Sequence, residues 1–351
     1  MRAPAAFAIP GDIDTLTGGY IYERSLLEGL RAVGHDVLHL PLGASFPEPS
    51  DADMAEAVAA LAAVDKDCPL ILDGLVFGAI DTAGLAKVTA PIVAMIHHPL
   101  ALESGLSEDL RDHLFRTEWN NLRLADHVLV PSAHTRSILI GRYNVEPGKI
   151  TIVRPGVVPP SGPSIPVEPP LILSVGILHP RKGHDILIEA LGRIRHLDWT
   201  AVIVGSAWDA AHAEDLAREV ARLTLGDRVH LAGRISTEDL QGLYRAASIF
   251  ALATRYEGYG MVFDEAVSYG LPIVSCRTGA VPDTVPRDAG LLVPSDNPVA
   301  FADAMARLLG DGDLRQFMSD AALRAAAKAP DWAQQSSIAS KVLDGLAAKG
   351  R

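Results

Sequence analysis

Short apolar runs alternate with amphipathic stretches from one end of the chain to the other. In the first half the runs fall at residues 6–9, 36–40, 70–75, 92–96, 127–131 and 150–153. In the second half they fall at 171–175, 201–204, 229–231, 249–253, 273–275 and 291–293. Nearly continuous hydrophobic strands, separated by segments of helical spacing, predict parallel sheets covered by helices. The first helix follows Gly18-Gly19, with Tyr20, Leu26, Leu27 and Leu30 expected on its buried stripe and Gly34-His35 ending it. Further helices are predicted over 114–126 and 186–194, then through an alanine-rich tail over 300–309, 314–327 and 332–346. A proline-rich run at 159–170 reads as a linker. It divides an α/β domain over 1–160 from a second over 171–330.

Composition narrows the class. The 351 residues, 48% hydrophobic and 21% charged, describe a globular protein large enough for two cores. A net charge of −12 argues against a nucleic-acid partner and against a broad basic face on anionic lipid. Any phosphate must therefore be held by a local positive site. Cys68 and Cys276 make neither a disulfide framework nor a metal cluster, and read as buried thiols in a reducing compartment. The proline-broken first ten residues do not read as a signal peptide, and no apolar run approaches membrane-spanning length. A cytoplasmic location is expected, at most peripheral at the inner membrane face, with no transmembrane segment.

Chemistry concentrates in Arg255-Tyr-Glu-Gly-Tyr-Gly-Met-Val-Phe-Asp-Glu265, which leaves an apolar strand, crosses two glycines and enters a helix. Amides around Gly258, Tyr259, Gly260 and Met261 form a candidate anion site, since a helix N-terminus presents unpaired N–H groups and partial positive charge. Glu257 and Glu265 would stand roughly 12 Å apart along a continuous helix, which suits two separate jobs better than one carboxylate pair. Upstream, His179-Pro-Arg-Lys-Gly183 follows the strand at 171–175, so Lys182 projects a cation into a glycine-bounded turn, with Arg181 beside it. Gly18-Gly19 stands after the first strand, where doubly wound folds bind ligands. The dinucleotide spacing Gly-x-Gly-x-x-Gly is missing there, and no acid closes the second strand, which counts against a dehydrogenase. His97 and His98 leave the strand at 92–96, in either a structural or a catalytic role. A metal site at His97, His98 and Glu103 would lack a third ligand at fixed spacing, and no metal is expected.

Glu257-x7-Glu265, with Gly258-Tyr-Gly260 inside it and Gly270-Leu-Pro-Ile-Val274 after it, resembles the paired-glutamate signature of the retaining glycosyltransferases of family four. The resemblance covers most of the chain and is dense from about 171 to 294. It implies the GT-B fold, two facing Rossmann-like doubly wound domains with a ligand cleft between them. It also implies transfer of a sugar from a nucleoside-diphosphate sugar, with retention and without metal or cofactor, to an unidentified glycan, lipid-linked or small-molecule acceptor lying mostly on the N-terminal domain. By the same resemblance Glu265 holds the ribose, Glu257 orients the sugar and Lys182 meets the donor phosphates. Gly18-Gly19 faces the diphosphate, and His97 lies near the reactive end of the sugar. Arg234 follows the glycine of the next strand end, and either covers the base or is solvated. The family commonly has an arginine where this chain has Ile177; either Arg181 substitutes or the second cation is absent. The last helix, 331–351, is expected to join the N-terminal domain. Two rivals share the architecture: a nucleotide-sugar 2-epimerase and a non-catalytic nucleotide-sugar binding pseudoenzyme.

Overall fold

The computed structural model describes residues 2–103, 105–160 and 162–349. Two compact units account for the chain: Met1–Gly156 with Pro330–Arg351, and Val157–Ala329. The first contains β1 (Ala5–Pro10), β2 (Val37–Leu42), β3 (Leu70–Asp73), β4 (Ile92–Met95), β5 (His127–Val130) and β6 (Ile150–Ile152). The second contains β7 (Leu171–Val175), β8 (Thr200–Val204), β9 (Val229–Gly233), β10 (Ile249–Leu252), β11 (Ile273–Cys276) and β12 (Gly290–Val293). Every apolar run predicted from the pattern is a strand, with ends shifted by one or two residues.

The sheets run β2-β1-β3-β4-β5-β6 and β12-β11-β10-β7-β8-β9, parallel throughout. Every residue of β1, β3, β4, β7, β10 and β11 is buried, whereas the edge strands β2, β9 and β12 are partly open. That division follows from helices covering both faces of the central strands. In the first sheet the chain steps from β1 outward to β2, then returns to β3 on the other side. In the second it runs β7-β8-β9 one way and restarts at β10 on the other side of β7. Each sheet thus has a switch point, β1/β3 and β7/β10, whose C-terminal crevice is the place where such folds bind ligands.

Local chemistry corrects several expectations. The stripe of helix Gly18–Ala32 is Tyr22, Glu23, Leu26, Leu27 and Leu30; Tyr20 is only half-buried. The expected loop glycines Gly18 and Gly19 are its first helical residues, and neither has positive φ. The helix expected at 114–126 is Glu108–Asn121, because Ser107 Oγ accepts from the Leu110 N–H at 3.2 Å and acids fill the first turn. The apolar run at 70–75 stops as a strand at Asp73, whose carboxylate accepts from the N–H groups of Leu75 (2.8 Å) and Val76 (3.4 Å) and turns the chain into a short helix.

Within the first unit, helix Trp332–Lys349 packs on helix Gly18–Ala32. The rings of Tyr22 and Trp332 meet edge-on at 5.2 Å, and the Arg154 N–H donates to Gln335 Oε1 at 2.7 Å. Within the second, the residues before β7 run along the end of helix Thr237–Ala246, with Ile165 and Val167 donating to the carbonyls of Arg245 (2.7 Å) and Ala246 (3.1 Å). Among the described residues, no helix is long and apolar enough to cross a membrane.

Candidate functional site

In the second unit the predicted residues converge on the β7/β10 switch point. After β7 the chain makes a single 3-10 turn, Pro180–Lys182, and enters helix His184–Arg193 through Gly183 at φ +64°. A Cβ on Gly183 would stand 2.0 Å from the Ala253 carbonyl oxygen, so only glycine lets this turn pack on the end of β10. Lys182 is thereby aimed at the segment after β10. Its Nζ donates to Glu257 Oε1 at 2.6 Å, and Arg181 Nη1 stands 3.7 Å from Glu257 Oε2 and donates to the Tyr256 carbonyl at 3.1 Å. Thr254 Oγ1 lies 3.0 Å from Glu257 Oε1. Burial pushes the Glu257 carboxyl up, but Lys182 and then Arg181 outweigh it and hold it below the usual carboxylate range.

The frame around this cluster is itself ionic. Arg255 grips Asp185 through two bonds, 3.0 and 2.7 Å, reaches Asp296 at 2.7 Å and donates to the Pro180 carbonyl. It fastens the Lys182 turn to the end of β10.

The glycine turn leads into helix Met261–Ser268. Gly260 is its first flanking residue at φ +90°, with no side-chain cap, while Gly258 does not take positive φ. The Phe263 N–H donates to the Gly260 carbonyl at 2.9 Å, and the helix start brings partial positive charge to this turn. Glu265 lies inside the helix, where Tyr244 donates to it at 2.8 Å and burial raises its pKa. Glu257 and Glu265 thus sit in separate environments. Arg234 follows Gly233 at the end of edge strand β9 and is exposed. Ile177 is half-buried, and the second cation at the cluster is Arg181.

In the first unit His97 stands at the end of β4. Its Nε2 is 3.4 Å from Glu23 Oε1, and its ring meets Tyr22 edge-on at 5.0 Å. A Cβ on Gly19 would come within 3.9 Å of the His97 ring. His98 pairs instead with Glu103, 3.1 Å away, so the metal triad His97, His98 and Glu103 does not assemble. A different group does: one ligand atom each of Glu23, Asp73 and His97 lie within 4.8 Å of one another. Glu23 and Asp73 are 2% and 3% exposed. Burial raises the Glu23 carboxyl to about 7 against the bond from Asp73, and burial together with Glu23 raises Asp73 well above its ordinary value. Burial lowers the His97 imidazole against the opposing pull of Asp73.

Two family models match in succession: Glycosyltransferase Family 4 over residues 74–159 and Glycosyl transferases group 1 over 161–325. The chain belongs to the group 1 glycosyltransferases of family 4. A D-inositol 3-phosphate glycosyltransferase of Salinispora tropica is 30% identical over 227 residues, 57% of this chain and 47% of that protein. The protein so named in Corynebacterium aurimucosum is 32% identical over 220 residues, 57% of this chain and 52% of its own length. The match therefore spans about half the length of these relatives. Among solved structures, the sucrose-phosphate synthase of Thermosynechococcus elongatus superposes with a TM-score of 0.85 at 22% identity, over 99% of this chain and 100% of that one. Anabaena HepE, solved with UDP and glucose, gives 0.78 at 17% identity, over 98% and 100%. Both likenesses establish GT-B architecture, two Rossmann-like domains.

Five residues of the two clusters escaped the sequence reading. Thr254 carries no signal of its own, and the Arg255–Asp185 clamp joins residues 70 positions apart. Glu23 and Asp73 did leave a trace. A glutamate occupies the apolar stripe of the first helix three residues before Leu26, and an aspartate closes the buried run of β3.

Proposed function

We propose that this family 4 protein is a retaining glycosyltransferase using a nucleoside-diphosphate sugar. The observation that carries the proposal is the convergence of Lys182 and Arg181, at the β7/β10 switch point, beside the uncapped helix N-terminus at Gly260–Met261. In an acidic chain this is where the second unit brings two partly buried cations to a helix N-terminus. The departing diphosphate gains negative charge as the glycosidic bond breaks. Fixed cations and amide dipoles that meet this charge lower the barrier more than they stabilise the bound donor.

Glu257, held ionised by Lys182, is the carboxylate placed to accept hydrogen bonds from sugar hydroxyls. Glu265, oriented by Tyr244, is the one for ribose. In the first unit the uncapped helix start at Gly18-Gly19 is a second candidate anion site, with His97 beside it. Neither glutamate is assigned as a nucleophile. The phosphates need no metal in this reading, since cations and amides replace it. The relatives' names refer to an inositol phosphate and a sucrose phosphate, and neither substrate is carried over here.

The test is to incubate the protein with UDP-, GDP- and ADP-linked sugars and an acceptor panel, with EDTA present. Nucleotide release and the anomeric proton coupling of the product are followed. Release from one donor class and a product with the donor's anomeric configuration support the reading. An inverted product removes retention, and a new sugar nucleotide formed without acceptor would indicate the epimerase.

A further inference from the structure

We infer that His184 is a positioning residue for Lys182: by holding the Gly176 carbonyl it fixes the backbone along which the lysine's methylene chain lies, and so sets how tightly the second unit takes a nucleoside diphosphate. The inference rests on the proposed function, in which Lys182 meets those phosphates.

His184 is the first residue of helix His184–Arg193, directly after the left-handed Gly183, and is fully buried. Its Nε2 stands 3.1 Å from the Gly176 carbonyl oxygen. A carbonyl oxygen only accepts, so Nε2 carries the proton and the ring is the donor. Burial lowers the imidazole to about 4 against the pull of this carbonyl, and the charge of Lys182 adds to the lowering. At pH 7 the ring is a neutral donor and puts no second charge beside the lysine.

Gly176 is the residue after β7, where the chain leaves the sheet for the Pro180–Lys182 turn. Its peptide is closely packed. A Cβ on Gly205 would stand 1.9 Å from the Gly176 carbonyl oxygen, so the backbone after β8 presses directly on it. A Cβ on Gly176 itself would stand 3.3, 3.4 and 3.5 Å from Cδ, Cγ and Cε of Lys182, so the lysine stem runs along the bare α-carbon. A lysine stem is costly to order unless packing holds it. Here the stem lies on Gly176 and Nζ arrives 2.6 Å from Glu257 Oε1. The Arg255–Asp185 clamp fastens the turn to the end of β10; His184, the adjacent residue, fastens it to the end of β7. Without the ring N–H, the Gly176 peptide can rotate and the stem loses the surface that aims it.

The test is calorimetric titration of the full-length protein in EDTA with whichever of UDP, GDP or ADP binds it, folding being checked by thermal unfolding. His184→Leu removes the donor and keeps an apolar side chain in its place, while His184→Gln returns an N–H at similar reach. Binding should weaken by about tenfold in His184→Leu and return to within about threefold of wild type in His184→Gln. In the Lys182→Met background His184→Leu should cost less than about twofold, because the group it positions is gone. Gly176 does not take positive φ, so Gly176→Ala strains no backbone, pushes a methyl onto the stem and should weaken binding by about threefold or more. A folded His184→Leu variant that binds as tightly as wild type overturns the inference. Equal losses with and without Lys182 overturn it too, since they mark a purely structural role. If His184→Leu does not fold, Gly176→Ala decides, and wild-type affinity in that variant overturns the inference. In each of these cases nucleotide binding by the wild type leaves the proposed function standing; a wild type that binds none of the three removes that reading instead.

Discussion

Replacing Lys182 by methionine keeps most of the length of the side chain and removes its charge. The pair it breaks is buried: Glu257 is 4% exposed and the Lys182 side chain 13%. At 2.6 Å the attraction is about 6 kcal/mol with an effective dielectric near 20, before desolvation of both groups is subtracted. The variant therefore shows mainly the cost of a buried carboxylate left without its lysine, typically about 3–5 kcal/mol. Arg181 at 3.7 Å and Thr254 at 3.0 Å recover part of this, leaving a loss of about 2–3 kcal/mol. For a domain of this size that lowers the unfolding midpoint by roughly 5–10 °C.

The loss depends on pH in a definite sense. Because the folded-state pKa of Glu257 is depressed, its contribution to stability is present above the unfolded value of 4.5 and disappears as pH falls through the folded value. The gap between wild type and variant should be wide at pH 7 and close in acid below 4.5. Lys182→Met/Glu257→Gln removes both charges of the pair and leaves Arg181 its bond to the Tyr256 carbonyl, so it should recover part of the midpoint. Thermal unfolding followed by circular dichroism reads all three. A double variant no more stable than the single, or a gap unchanged in acid, would refute the account of this pair.

Glu23 gives the opposite linkage. Its folded pKa is raised from 4.5 to about 7, so the stability it confers is full below 4.5 and is lost as pH rises through 7. Glu23→Gln should match wild type near pH 4.5 and exceed it at pH 8 by about 3 kcal/mol, measured by urea unfolding at both pH values. Equal stabilities at pH 8 would contradict the burial argument. Gly183→Ala should cost about 3 kcal/mol or more and weaken nucleotide binding, since the new methyl meets the Ala253 carbonyl at a left-handed backbone position. Calorimetry and unfolding check it, and a stable variant with normal binding would remove the turn's role in aiming Lys182.

The architecture was legible because parallel strands buried on both faces write themselves as apolar runs, and all twelve were read. Helices were read less evenly. Glu108–Asn121 carries Glu118 and Asn121 in its interior, so its stripe is polar where the pattern demands apolar residues. Its start was missed because residues 108–113 carry a single apolar residue, Leu110. Tyr20 was placed on the buried stripe because aromatic character suggests a core position, yet helical spacing back from Leu26 and Leu30 selects Tyr22 and Glu23.

Lys182, Arg181 and Glu257 could be singled out from their strand-end positions, but their mutual contact could not. It depends on β7 and β10 being neighbours, 75 residues apart in the chain. The Glu23–Asp73–His97 group was hidden the same way. Its members are unremarkable singly and become a site only when β1, β3 and β4 lie side by side.

The central claim is that the Lys182 turn holds a nucleotide diphosphate without a metal. Calorimetric titration of UDP, GDP and ADP in EDTA tests it, on wild type, Lys182→Met and the folded double variant. One nucleotide should bind the wild type in the micromolar range, and binding should weaken by about tenfold or more in both variants. A folded wild type that binds none of the three, or a Lys182→Met variant that binds as tightly as wild type, would contradict the claim.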